Sequence, residues 1–295
     1  MNQDSHGSLP RLSVVIPVRN GASTLPAQLS ALARQRKPPS FEVIVSDNGS
    51  SDGLLHVLEE EMKKLPSLKL RSVDASARKG VSHARNVGTR AALAPCVAYC
   101  DSDDVVGPDW ARAMADGLEV HSAVGGWLDE ELLNEGRPVH RTMTTRGLLR
   151  GLDFLPYAVG ANCGVRKEVW ATLDGFDEAF LDGAEEVDFF WRLQLAGYSL
   201  GFIPTASVAY RHPSDLKALI RRAFRYGIGS CQLAAAHRDH LPRESYLRIA
   251  RTCLELLVRL PLVAMPQRRA NYLRRIAHYA GQIVGSHRYR VLHLA

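Results

Sequence analysis

The sequence predicts an α/β protein: a doubly wound, mostly parallel sheet followed by a helical C-terminal extension. Three observations carry that expectation. Apolar, β-branched runs alternate with helix-period segments through the first hundred residues. The strand-like runs are almost continuously hydrophobic, as strands covered on both faces are. Charge also divides the chain. Residues 1–210 hold 21 Lys/Arg and 27 Asp/Glu, net −6, whereas residues 211–295 hold 16 and 4, net +12.

Each element has its own signal. Leu12–Val18 (LSVVIPV) reads as a buried strand, and Asn20-Gly21 turns the chain into a helix with Leu25, Leu29 and Leu32 on one face. The strand Phe41–Val45 runs into SDNGSSDG, a cluster of turn formers. A helix over Leu54–Lys64, a strand over Leu68–Val73, a helix over Val81–Leu93 and a strand over Cys96–Cys100 complete the alternation. From Pro108 to His212 the pattern is less regular. Gly201–Ile203 and Ser207–Tyr210 read as short strands, and after Pro213 the chain reads as helices rich in Arg. The expected organisation is a polar, disordered tail over 1–10, an α/β domain over 11–212 and a basic helical extension over 213–295.

Composition narrows the function classes. With 46% hydrophobic and 23% charged residues the chain reads as globular, and no apolar run reaches the length of a membrane span. Five cysteines without a C-x-x-C pair favour a reducing cytosol over disulfides or zinc. The basic extension interleaves Arg with apolar residues, which suits peripheral contact with an anionic membrane, at the inner face of the membrane. Aromatic residues are too sparse there for a nucleic-acid binder, so no nucleic acid is expected.

In doubly wound sheets ligands bind at the carboxyl ends of the strands. Polar residues gather at those ends: Arg19 and Asn20, Asp47 and Asn48, then Asp101, Asp103 and Asp104. An acid cluster on a strand end repels itself unless a cation or donors compensate, and oxygen ligands suit Mg²⁺ or Mn²⁺. The bland alternatives are a turn for the cluster and an Asx turn for Asp47. A dinucleotide fold would need G-x-G-x-x-G after the first strand; this loop, VRNGAS, has one Gly. A Walker loop is absent, and VRNGAS poorly matches a nucleotidyltransferase loop.

The acids of FLDGAEEVDFFWRL sort by helix geometry. Asp182 and Glu185 have capping-box spacing, and Asp188 precedes Arg192 by four residues. Val187, Phe190, Trp191 and Leu195 form an apolar face. Glu186 has no local structural task, and at ~100° per residue it lies about 200° around the helix from Asp188.

The segments VVIPVRN, VIVSDNGSSDG, KGVSHARNVG, YCDSDD, GANCGVRKEVW, GFDEAF, EEVDFFWRLQLAGY and YRHP occur in this order over about residues 12–213. Together they resemble the family 2 glycosyltransferases of the GT-A fold. That resemblance implies an inverting, metal-dependent enzyme using a nucleotide-sugar donor, typically a UDP- or GDP-sugar. The acceptor would be a glycan, a lipid-linked molecule or a small molecule. By the same resemblance Pro17, Arg19 and Asn20 line the nucleoside pocket and Asp47 binds the base. Arg85 and Asn86 lie near the ribose or diphosphate, and Asn162 faces the donor sugar or acceptor. Asp101 and Asp103 form the metal motif, and His212 completes the metal site. The family's catalytic Asp falls at Glu186, a departure that leaves Asp188 as the alternative base. A catalytically impaired, nucleotide-sugar-binding scaffold is the competing expectation.

Overall fold

A computed structural model describes residues 9–134, 147–212, 215–242 and 246–294. Residues 1–8 of the expected tail, 135–146 of the irregular region and Pro213, the expected start of the extension, lie outside the described residues.

The first half alternates as the sequence predicts: β1 (Leu12–Val18), α1 (Leu25–Ala33), β2 (Phe41–Asp47), α2 (Leu54–Lys64), β3 (Leu70–Asp74), α3 (Val81–Ala91) and β4 (Cys96–Cys100). The unbroken hydrophobicity of β1 has a direct cause. Val14, Ile16 and Val18 enter the core on one face of the sheet, and Val15 enters the core on the other. In β2, Val43 and Val45 likewise oppose Ile44. Both faces are covered by helices, so neither alternate position faces water.

The second half holds β5 (Val105–Val106), α4 (Trp110–Val120), β6 (Ala123–Asp129), β7 (Leu149–Arg150), β8 (Pro156–Tyr157), β9 (Asn162–Arg166), α5 (Lys167–Thr172), α6 (Glu185–Leu195) and β10 (Leu200–Ala209). Eight strands form one sheet in the order β3-β2-β1-β4-β9-β6-β10-β5, while β7 and β8 pair separately. The β1–β2, β2–β3, β1–β4 and β6–β10 pairings are parallel; β9 runs antiparallel to β4 and β6, and β5 to β10. The chain winds from β1 outward to β3 and then returns to β4 on the other side of β1. The switch point therefore lies between β1 and β4, where such sheets bind ligands.

Two expectations change here. The short strands expected at Gly201–Ile203 and Ser207–Tyr210 are one strand, β10, whose register shifts between Ile203 and Ser207. Pro204 sits in that interval and has no N–H to give to a ladder. Leu195, expected on the apolar face of α6, is 44% exposed, and Phe189 is buried instead.

The C-terminal segment is helical, with α7 (Leu216–Ala236), α8 (Tyr246–Val258), a 3₁₀ turn (Leu260–Ala264) and α9 (Pro266–Tyr289). No helix among the described residues is long and apolar enough to cross a membrane. The α7 and α9 backbones touch. A Cβ on Gly227 would strike the His278 carbonyl, and one on Gly281 would strike the Phe224 carbonyl. Tyr289 closes the pair by donating to Gln232 Oε1 at 2.9 Å.

Candidate functional site

The C-terminal ends of β1, β2 and β4 open into a cleft of about 1050 Å³. One wall is made of these strand ends, the start of α3 and the start of α6. It contributes Pro17, Arg19, Asn48, Lys79, Arg85, Asp101, Glu185 and Glu186. The opposite wall is α7 and α9, with Arg221, Arg222, Arg225, Tyr226 and Arg274. The helices of the C-terminal segment thus close this side of the cleft.

Asp101, Asp103 and Asp104 follow β4, and their carboxylate oxygens lie within 4.8 Å of one another. Asp104 is 1% exposed; its Oδ1 accepts from the Arg211 backbone N–H at 2.8 Å, while its buried Oδ2 has no hydrogen-bond partner among the described residues. An orphaned buried carboxylate oxygen beside two further acids is an unfavourable arrangement without a cation. The all-oxygen donor set fits Mg²⁺ or Mn²⁺. Burial, then the charges of Asp101 and Asp103, hold the Asp104 carboxyl well above the usual carboxylate range. Burial also pushes Asp101 up to about 6, against the pull of Arg85.

Arg85 joins the strand ends to α6. Its Nη1 donates to Glu185 Oε1 at 2.9 Å, and its Nη2 lies 3.6 Å from Asp101 Oδ1. Burial works against its charge, but Glu185 and Asp101 outweigh burial and hold the guanidinium firmly protonated. The neighbouring Gly160 explains part of the GANCG stretch, because a Cβ there would collide with the Arg85 guanidinium.

The four acids around the start of α6 separate completely. The capping box expected from Asp182 and Glu185 is not formed: Ala184 is the N-cap residue and no side chain caps the helix. Asp182 instead meets Arg225 Nε at 3.0 Å and Arg288 Nη1 at 3.3 Å. Glu185 is consumed by Arg85. Asp188 is 4% exposed, accepting from Arg192 Nε at 2.8 Å and bonded to His237 Nε2 at 2.9 Å. It is not among the cleft residues. Glu186 alone faces the cleft without another described side chain to bond; its carboxylate accepts only from its own backbone N–H. Burial, then the Glu185 charge, pushes it up to about 8.

Several residues expected at the donor site do other work. Asn86 donates to Phe176 O at 2.8 Å and Glu178 Oε1 at 3.1 Å, and accepts from the Phe176 N–H at 2.9 Å, tying GFDEAF to α3. Asn162 is fully buried, accepting from Trp110 Nε1 and donating to the Trp127 and Ala206 carbonyls, each at 2.8 Å. Both side chains are saturated and neither lines the cleft. Asp47 accepts from the Ser50 N–H at 2.9 Å, the Asx turn. Asn20 Oδ1 accepts from the Ser51 N–H at 2.8 Å, so Asn20 braces the same loop. Asn48, which the sequence analysis did not assign, lines the cleft and accepts from the Gly80 N–H at 3.0 Å. His212 lines the cleft, outside the acid cluster, with Nε2 3.0 Å from Glu130 Oε1.

The helical wall was missed altogether. Tyr210 and Tyr226 flank Arg222, whose Nη1 donates to Tyr210 Oη at 3.1 Å and whose Cζ sits 5.9 Å from the Tyr226 ring centre. A sequence signal existed: in RRAFRYGIGS, arginines share a helix with small residues that mark a close approach.

Comparison with known proteins agrees with this architecture. A family model described as glycosyl transferase family 2 matches residues 13–173, and one described as glycosyl transferase family group 2 matches residues 96–281, reaching through α7 into α9. The chain is 29% identical over 243 residues to glycosyltransferase AglE of Haloferax volcanii, covering 80% of this chain and 78% of that one. It is 31% identical over 238 residues to a pre-mycofactocin glycosyltransferase of Mycobacterium tuberculosis, covering 77% of this chain and 48% of the relative; it thus spans about half that relative's length. In fold it is similar to the mannosyltransferase PcManGT from Pyrobaculum calidifontis in complex with GDP-Man and Mn²⁺, with TM-score 0.62, 18% identity, and 95% and 88% of the two chains covered. It is also similar to Staphylococcus aureus TarS 1–349 in complex with UDP-GlcNAc, with TM-score 0.57, 19% identity, and 96% and 93% covered.

Proposed function

The chain belongs to glycosyl transferase family 2, and from that premise we propose an inverting transfer of a sugar from a nucleoside-diphosphate sugar to an acceptor hydroxyl. The observation that carries the reading is Glu186: it is the one acid of the α6 start that faces the cleft with no side-chain partner among the described residues. In this reading Glu186 takes the proton of the acceptor hydroxyl while that oxygen bonds the anomeric carbon. The bond from that carbon to the diphosphate breaks, and the nucleoside diphosphate leaves. General-base help of this kind is worth about 10²–10⁴-fold. Asp188, held by Arg192 and His237, secures α6 from behind.

Asp101 and Asp103 would hold Mg²⁺ or Mn²⁺, with Asp104 completing the acid cluster. When bound, the cation neutralises charge on the departing diphosphate. His212 is a further candidate ligand, oriented by Glu130 as metal-binding histidines are by carboxylates. Pro17, Arg19 and Lys79 would contact the nucleotide at the switch point. Arg85 positions Asp101 and Glu185 relative to each other.

A thermal-shift panel of UDP-, GDP- and dTDP-sugars with and without Mn²⁺ tests the donor side. One nucleotide class should stabilise the chain in a metal-dependent way; none doing so removes the reading. A second reading, a nucleotide-sugar-binding scaffold, is favoured by the elevated Glu186 carboxyl, which is mostly protonated at neutral pH. Slow, metal-dependent release of nucleoside diphosphate would exclude it.

We further assign peripheral membrane contact, on the cytoplasmic side, to the α8–3₁₀ surface. Leu254, Leu257, Val258, Leu260 and Met265 are exposed there among Arg251, Arg259, Arg268 and Arg269. Each basic residue near an anionic surface contributes about 1 kcal/mol. Co-sedimentation with anionic vesicles should fall sharply in Leu257→Glu/Leu260→Glu; equal, negligible binding by both proteins discards the assignment.

A further inference from the structure

The position of Glu186 depends on the turn that enters α6. Gly183 and Ala184 both have left-handed backbone, with φ of +95° and +71°, and the helix starts at the next residue. Glycine adopts that region freely, whereas alanine does so at a cost and stays there only where the surroundings hold it. No side chain caps this helix start. The hold comes from α7.

Arg225, Gly229, Leu233 and His237 stand four residues apart, as one stripe along α7. Each of them meets α6 or the turn ahead of it. The Arg225 guanidinium donates to Asp182 Oδ1 at 3.0 Å and to the Leu181 carbonyl. Arg288 of α9 adds a second contact to Asp182, at 3.3 Å. Gly229 lies against the turn backbone, where a Cβ would stand 2.6 Å from the Gly183 carbonyl oxygen and 2.8 Å from that of Asp182. Leu233 shares a buried cluster with Val187 and Trp191. His237 Nε2 lies 2.9 Å from Asp188 Oδ1. The stripe therefore grips the chain on both sides of Glu186, while none of its hydrogen bonds among the described residues goes to Glu186 itself.

We propose that this stripe of α7 positions the general base, with Arg225 as the positioning residue that holds the turn entering α6. The inference rests on the reading of Glu186 as the base, and it gives the C-terminal segment a part in the reaction beyond closing the cleft. A base must meet its hydroxyl at hydrogen-bond distance, and a misplacement of about 1 Å costs on the order of 10²-fold. Arg225 is exposed, so its ion pair adds little to global stability, and its loss should be read in rate rather than in melting. His237 contributes less, because Asp188 keeps Arg192 without it.

The test measures single-turnover release of nucleoside diphosphate by the full chain with Mn²⁺, and donor affinity alongside, in Arg225→Ala, in Glu186→Gln and in the double variant. Arg225→Ala should lose about 10-fold or more in rate with donor affinity unchanged. Arg225→Lys should recover part of that rate. Gly229→Ala, which drives a Cβ into the Gly183 carbonyl, should lower the rate in the same way from a different contact. In the Glu186→Gln chain, Arg225→Ala should cost nothing further, since a support that acts through the base then has no base to place. The proposal is overturned if Arg225→Ala keeps the parent rate, or if its loss is as large in Glu186→Gln as in the parent. Donor binding that weakens in step with the rate would also overturn it, by placing Arg225 on the donor. Full turnover in Glu186→Gln alone would instead sink the reading of Glu186 as the base.

Discussion

The strand-end wall and the helical wall of the cleft enclose the same space but are built by opposite rules. The first carries acids on strand and helix ends, tied together by the buried Arg85, together with Arg19 and Lys79. The second is a set of arginines on a helix held close to its partner by glycines. Acids suited to a cation and a base stand on the first wall, and arginines predominate on the second. In the proposed reading the strand-end wall binds the donor and carries the base, while the helices of the C-terminal segment close the cleft.

The largest effect should come from removing the acids. Asp101→Asn/Asp103→Asn is expected to lower nucleoside-diphosphate release by about 10³-fold or more and to abolish metal-dependent thermal stabilisation, since a bound cation contributes several kcal/mol to such transition states. Preserved metal dependence in that variant would move the cation elsewhere.

The helical wall should fail differently. Gly281→Val forces α9 away from the Phe224 carbonyl, at a stability cost of about 1–3 kcal/mol by overpacking. Acceptor-dependent turnover should fall about 10-fold or more while nucleotide binding persists. Equal loss of both would mean that the walls do not act separately.

A smaller, pH-dependent signature belongs to Glu186. The base works only when ionised, so turnover should rise with pH as the group, pushed up to about 8, loses its proton. The limb should move to lower pH as divalent cation is added, because positive charge favours the carboxylate, and it should vanish in Glu186→Gln. The same shift sets a stability trend. The folded state holds this proton more tightly than the unfolded chain, so from about 4.5 to about 8 stability falls with rising pH relative to Glu186→Gln. Thermal melts across that range read it directly.

The smallest effect on chemistry should follow His237→Ala. It leaves Asp188 with Arg192 alone, costs about 1–3 kcal/mol of stability and changes turnover less than 10-fold. A larger loss of turnover at full stability would bring Asp188 into the reaction.

These differences also explain what could be read from the sequence. β1, β2 and β4 were legible because both of their faces are buried, which leaves a nearly unbroken apolar run, whereas the edge strand β3 (LRSVD), with no buried residue, was legible only from the alternation around it. The cation acids were legible because they follow one of those strands directly. Partners distant in sequence were not. Glu185 has capping-box spacing, but Arg85, 100 residues earlier, claims it. Asn86 and Asn162 stand in motifs of the donor site, yet Phe176, Glu178, Trp110, Trp127 and Ala206 take up their hydrogen bonds. The helical wall was hidden because an arginine facing a cleft and one facing water have the same local pattern. Only the α7–α9 contact separates them.

The most direct test compares Glu186→Gln with Asp188→Asn in single-turnover release of nucleoside diphosphate, using the donor that the thermal-shift panel selects. Glu186→Gln should lose about 10²–10⁴-fold in rate with its donor-induced thermal shift intact. Asp188→Asn should lose about 3 kcal/mol of stability and little rate once it is assayed in its folded range. Full turnover in Glu186→Gln together with a dead but stably folded Asp188→Asn would contradict the account.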